Sequence, residues 1–240
     1  MKRMRCLLRG GLGWAARVAA GVLLALLAVL AGFVWWTMPS GRMGARYPMA
    51  ASAVDFDADG VDDYRDIVQG ARADAEAWPV YDSGYYEGGY PPEGRGACTD
   101  TVWRAFARAG YDLKAMVDRD VAADPQAYAG VVDEPDPNID FRRAGVLDVF
   151  FRRYAQELSC DADALDAWQG GDVVVFGNGS HIGIVSDRRD RRGKAFVIHN
   201  MGQLWRENDY LAYPFRQEVT GHYRFDASAV PAEVLAAWHT

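Results

Sequence analysis

The chain has 240 residues, half of them apolar, with 33 acidic and 26 basic side chains; that length suits one well-cored domain plus extra segments, or at most two small domains. Five of the basic residues (Lys2, Arg3, Arg5, Arg9 and Arg17) and none of the acidic ones precede Val18, which leaves the rest of the chain with a net charge of about −12. A surface so acidic excludes nucleic acid as a partner, because that binding rests on Lys and Arg neutralising phosphates.

Residues 1–17 read as a basic cytoplasmic segment and 18–38 as a membrane anchor. The run from Val18 to Met38 is free of charge for 21 residues, which as a helix crosses roughly 30 Å of hydrocarbon, whereas the apolar core of a signal peptide is about 7 to 15 residues long. The basic flank keeps the N-terminus in the cytoplasm and places the remainder in the periplasm or outside the cell. Trp35 and Trp36 fall at the outer interface, where a cleavable leader would have small residues. The expectation is a single pass through the inner (cytoplasmic) membrane, with secretion after cleavage as the alternative. Cys6 precedes the apolar run and so does not read as a lipoprotein acylation site.

Residues 39–53 read as a linker and 54–226 as the domain. At its start, Asp55, Asp57, Asp59, Val61 (through its carbonyl), Asp63 and Asp66 stand at positions 1, 3, 5, 7, 9 and 12 of an EF-hand-like loop, with Gly60 at position 6, which predicts a structural calcium ion. The bland reading is an acidic cap for the next helix. Helices are expected over 66–78, with Ile67, Ala71, Ala75 and Trp78 on one face, over 99–109, and around 146–158. Short strands are expected over 172–176, 181–186, 195–200 and 220–225, separated by Gly-Asn-Gly and Arg-Gly turns. Helices followed by a strand meander predict an α+β fold, closed by a tail or helix over 227–240.

Two cysteines, Cys98 and Cys160, lie beyond the apolar run and read as independent thiols. Cys98 stands at the start of the 99–109 helix, where unpaired backbone N–H groups and the helix dipole favour a thiolate. His181 opens a strand directly after the Gly171–Phe176 strand. A third strand ends in His199-Asn200, so a second imidazole or an amide is available to hold the first ring, as the orienting member of a triad does. A cysteine at a helix start followed by histidines on adjacent strands predicts nucleophilic acyl chemistry.

These residues resemble the NlpC/p60-type papain-like hydrolases of bacterial cell walls, through the Gly171–Phe176 and His181–Val185 strands. The segments Gly94-Arg95-Gly96-Ala97-Cys98-Thr99-Asp100, Pro135–Asp140, His181–Val185 and Gly221-His222-Tyr223-Arg224-Phe225 more closely resemble the bacterial domain-of-unknown-function family 1287. The resemblance implies a papain-like fold with Cys98 as nucleophile, His181 as base and His199 as the third member, with Asn200 as the fallback. It also implies an amide in peptidoglycan stem peptides as substrate, and no cofactor for catalysis. Tyr85, Tyr86 and Tyr90, in the loop before the nucleophile, are candidate substrate or oxyanion contacts. Arg142 is a candidate to grip a substrate carboxylate, or else an ordinary partner for nearby aspartates. The competing expectations are a non-catalytic module that holds wall peptides or a partner protein, and a Cys-dependent acyltransferase.

Overall fold

The structure is a computed structural model that describes the backbone of residues 2–239 and the side chains of residues 13–239. Cys6 and the side chains of Lys2, Arg3, Arg5 and Arg9 lie outside the described residues. Two units are present, Met1–Met38 and Pro39–Thr240. The first is one helix, α1 (Lys2–Thr37); with a mean hydropathy of 2.5 over its apolar stretch, it is long and apolar enough to cross a membrane.

The second unit is α+β. In chain order it contains α2 (Gly41–Arg46), α3 (Asp63–Glu76), β1 (Val80–Tyr81), β2 (Arg95–Gly96), α4 (Cys98–Arg108), α5 (Leu113–Ala123), α6 (Ala144–Tyr154), β3 (Gln156–Glu157), β4 (Val173–Phe176), β5 (His181–Arg189), β6 (Ala195–Ile198), β7 (Glu207–Asn208) and β8 (Val219–Arg224). β1 and β2 form a short parallel pair. The other strands form one antiparallel sheet in the order β3-β8-β4-β5-β6-β7.

The sheet is buried on both faces, which explains why its strands are nearly continuous in apolar residues. Val173, Val175, Ile182, Ile184 and Ile198 face the helices in one core. Val174, Phe176, Val185 and Val197 face Trp168, Ala162 and Leu211 in a second. Within the first core α3 presents Ile67, Val68 and Ala71 to α4, whose Val102, Ala105 and Phe106 are fully buried. Each such large side chain contributes about 1.5–3 kcal/mol on burial. The helices meet at Gly70, where a Cβ would fall 2.9 Å from the Ala105 Cα.

Three expectations need correction. The 39–53 segment is not a free linker: α2 packs on β5, Ser40 N–H donates to the Arg189 carbonyl (2.7 Å), and the Arg189 guanidinium lies over the Tyr47 ring at 4.7 Å. Of the two alternatives for the C-terminal residues, the tail is found and, among the described residues, the α-helix is not; the tail is packed down. Ala237 bridges Tyr111, Trp238 N–H donates to the Gly110 carbonyl, and the Trp238 ring joins Tyr90 and Trp103. Finally, α5 is additional to the expected helices. Its local signals are an Asp112 N-cap, whose carboxylate accepts from Ala115 N–H, and the buried stripe Leu113, Met116, Val117, Val121.

Candidate active site

Cys98 is the first residue of α4. The helix start is pinned from within: the Asp100 carboxylate accepts from the Ala97 N–H (2.7 Å) and from Trp103 Nε1 (2.8 Å). Arg142 adds a two-pronged pair, with Nε at 2.8 Å and Nη2 at 3.0 Å from the two Asp100 oxygens. Both side chains are essentially fully buried. The other end of the Arg142 fork holds the Gly84 carbonyl (2.7 Å) and lies over the Tyr86 ring, while the Arg142 carbonyl accepts from Thr99 Oγ1. Arg142 is therefore not a grip for substrate. Its donors are taken by the loop before the nucleophile and by the nucleophile helix.

The Cys98 thiol is partly buried and free, as is Cys160. Burial pushes the thiol above its ordinary range, and the Ile182 and Thr99 backbone groups pull the other way. Ile182 is the neighbour of His181 in β5, and α4 packs directly on that strand. Among the described residues no hydrogen bond joins the thiol to the His181 ring.

His181 is itself 4% exposed, and burial alone pushes its ring down to about 4. Its Nε2 stands 2.7 Å from His199 Nδ1. His199 is fully buried, which pushes it down to about 3, aided by His181 and opposed by Asn208. The Phe176 and Tyr210 rings flank the pair. The approach of β6 to β5 depends on Gly183, where a Cβ would fall 2.7 Å from Val197 Cγ1 and 3.0 Å from the His199 Cβ.

Asn200 does not serve as the third member. Its amide nitrogen donates to the Gly96 carbonyl (2.9 Å) and the Pro79 carbonyl (3.4 Å), and its oxygen accepts from Gly202 N–H. Asn200 thereby ties the loop after β6 to the strand that leads into Cys98. The amide next to the histidines is instead Asn208 in β7, with Oδ1 at 3.3 Å and Nδ2 at 3.1 Å from His199 Nε2. The sequence carries no local signal for it, because a two-residue strand has no periodicity and its partner is nine positions away.

The tyrosines separate. Tyr90 is packed edge-on against Trp103, Phe141 and Trp238 and is a core ring rather than a contact for substrate. Tyr86 donates to Asp82 (2.7 Å). Tyr85 is 60% exposed and is held by Asn138 Nδ2 at 3.0 Å.

In the acidic loop, carboxylate oxygens of Asp55, Asp57 and Asp59 lie within 4.8 Å of one another and are exposed, and Gly60 takes the positive φ (92°) that position 6 requires. Asp55 and Asp57 accept N–H groups of Asp59 and Gly60 across the turn. Asp63 is not a ligand: its oxygens accept from the Phe56 N–H and the Tyr111 hydroxyl. Asp66 is buried beside Arg108, 3.3 Å from its Nε, and burial, then Asp59, pushes it up to about 6. The loop thus offers three converging carboxylates rather than five.

Fold and site together define a mixed α+β domain in which a cysteine opens a helix packed on a strand that begins with one of two hydrogen-bonded histidines. Residues 68–225 match the family described as a domain of unknown function, DUF1287, and the chain belongs to that family. It is similar to "Uncharacterized protein YijF" of Escherichia coli (strain K12), being 37% identical over 170 residues that cover 66% of this chain and 80% of that protein. No solved structure matches.

Proposed function

We propose that the protein is a cysteine hydrolase of papain-like, NlpC/p60-type architecture, anchored by α1 in the inner membrane and cutting amide bonds in peptidoglycan stem peptides outside the cytoplasm. The observation that carries this reading is the arrangement around His181. Its Nε2 is held by His199 at 2.7 Å, its Nδ1 makes no hydrogen bond among the described residues, and the adjacent Ile182 backbone faces the Cys98 thiol at the N-terminus of α4.

In the proposed reaction His181 Nδ1 takes the Cys98 thiol proton as the sulfur attacks the amide carbonyl carbon. The oxyanion is held at the start of α4, where the Cys98 N–H has no partner within the helix. Collapse breaks the C–N bond, and the amine leaves with the proton from His181. Water, deprotonated by the same ring, then cleaves the thioester and restores the thiol. His199 holds the His181 ring in orientation throughout. Asp55, Asp57 and Asp59 fit a structural calcium ion at the start of the domain; Asp63 does not join them.

Incubating the purified full chain with muropeptides, with product analysis by mass spectrometry, tests the reading. Hydrolysis is expected for the wild type and none for Cys98→Ala at unchanged melting temperature; equal activity in that variant ends the proposal. Aminolysis products in place of hydrolysis would move the assignment to acyl transfer. One observation favours a second, non-catalytic reading, in which the same residues only help to bind. Burial disfavours both the thiolate and the imidazolium, and among the described residues no hydrogen bond links them. Stable binding of muropeptides without turnover would support it.

A further inference from the structure

We infer that Asn208 is a positioning residue that decides which nitrogen of His181 carries the proton. This deepens the hydrolase reading and rests on it for its consequence, although the tautomer itself is measurable without any substrate. The two histidines and Asn208 form a chain: His181 Nε2 faces His199 Nδ1 at 2.7 Å, and His199 Nε2 faces both atoms of the Asn208 amide. Only one proton fits between the two rings. If it sits on His181 Nε2, then His199 Nδ1 accepts, His199 carries its own proton on Nε2, and Asn208 must supply an oxygen. If it sits on His199 Nδ1, the order reverses, Asn208 must supply an N–H, and His181 carries its proton on Nδ1, where it blocks uptake from the thiol.

Two considerations favour the first order. The bond from Asn208 Nδ2 to the Trp205 carbonyl (2.6 Å) fixes the amide in place, with Oδ1 at 3.3 Å and Nδ2 at 3.1 Å from His199 Nε2, so that the oxygen is there to accept once that ring nitrogen carries its proton. When His181 takes a second proton, both its nitrogens become donors. His199 Nδ1 must then accept and His199 Nε2 must donate, so the oxygen-terminated order alone keeps every partner in place. The nearby Arg206 also disfavours a cation on His199, so a second protonated ring is not an alternative route.

β7 is built to hold Asn208 there. Asn208 pairs with Val197 and Glu207 with Ile198, which puts Asn208 on the sheet face that Val197 and, two residues on, His199 also occupy. Glu207 is clamped by Arg72 of α3 (2.8 Å) and Arg188 of β5 (2.8 Å). The other groups that face the pair are the Tyr210 ring from the segment after β7, Phe176 from β4 and the charge of Arg206 beside His199. Among the described residues His199 Nε2 hydrogen-bonds no side chain but Asn208, which ends the chain.

The test uses the detergent-solubilised full chain labelled with 15N-histidine; four histidines keep the ring spectra resolvable. His181 and His199 are expected to show the Nε2–H tautomer in the wild type and in Asn208→Asp, which keeps an acceptor. Asn208→Ala is expected to shift His181 toward Nδ1–H. Muropeptide turnover should fall about tenfold or more in Asn208→Ala, as for other residues that orient a functional histidine, and recover in Asn208→Asp. A wild-type His181 with its proton on Nδ1, or an Asn208→Ala spectrum identical to the wild type, overturns the inference. If the wild type turns over no muropeptide, the hydrolase reading fails on its own, and the 15N shifts still judge Asn208.

Discussion

Two regions carry most of the polar chemistry of this molecule, and they are built in opposite ways. The acidic loop from Asp55 to Asp66 draws its groups from one short stretch of chain, and three of its carboxylates are exposed. The site around Cys98, His181 and His199 draws its groups from a helix, three strands and the loops between them, nearly all buried. The first arrangement is set by spacing and tolerates change. The second is set by packing, where each polar atom depends on a partner far away in the chain.

The sharpest way to break this contrast is at the buried pair beneath the nucleophile. Arg142→Ala leaves the Asp100 carboxylate buried and uncompensated, and removal of one partner from such a pair costs about 3–5 kcal/mol. Urea denaturation should show that loss, and the double change Asp100→Leu with Arg142→Met should recover much of it. A loss below about 1 kcal/mol would mean that the pair does not hold the α4 start.

Next in size is the acid response of the histidines. In the unfolded chain both rings titrate near 6.5, while burial holds His181 at about 4 and His199 at about 3. Between those values the unfolded chain binds more protons, so stability is present above pH 6.5 and falls as pH drops toward 4. The expected loss over that window is a few kcal/mol, and it should flatten in His181→Gln and His199→Gln variants measured by denaturation at a series of pH values.

Gly183→Ala follows, because the added methyl meets Val197, the Ile198 carbonyl and His199 at 3.0 Å or less. Overpacking of this kind costs about 1–3 kcal/mol. It should lower turnover beyond what the melting temperature accounts for, since it displaces His199 directly.

The smallest effects belong to the acidic loop. Asp55→Asn and Asp57→Asn should change stability by less than about 0.5 kcal/mol without calcium, as surface substitutions do. If the loop binds calcium, a tenfold excess over Kd stabilises the wild type by about 1.4 kcal/mol, and the two variants should lose that increment. A wild-type melting temperature that does not respond to calcium removes the ion from the account.

The same contrast explains what the sequence discloses. The helices α3, α4 and α6 and the strands β4, β5, β6 and β8 are legible because each has an apolar pattern within its own length. Cys98, His181 and His199 are legible because their order and flanking elements are local. Asn208 is not, since its place depends on β7 pairing with β6. Arg142 and Asn200 have the right chemistry for the site, and their actual roles are set by Asp100, Gly84, Gly96 and Pro79, partners 42 to 121 positions away. The acidic loop shows the limit of spacing even where it works: Asp63 stands at a ligand position, and Tyr111 draws it into the core.

The central claim, that Cys98 is an activated nucleophile beside His181, is tested most directly by the pH dependence of its alkylation in the intact chain, followed by peptide mapping to separate Cys98 from Cys160 and Cys6. The account predicts reaction of Cys98 well below the pH of about 8.5 at which a free thiol ionises, and loss of that low-pH reactivity in His181→Ala. A Cys98 that reacts only as an ordinary buried thiol does, with the same profile in both proteins, would contradict it.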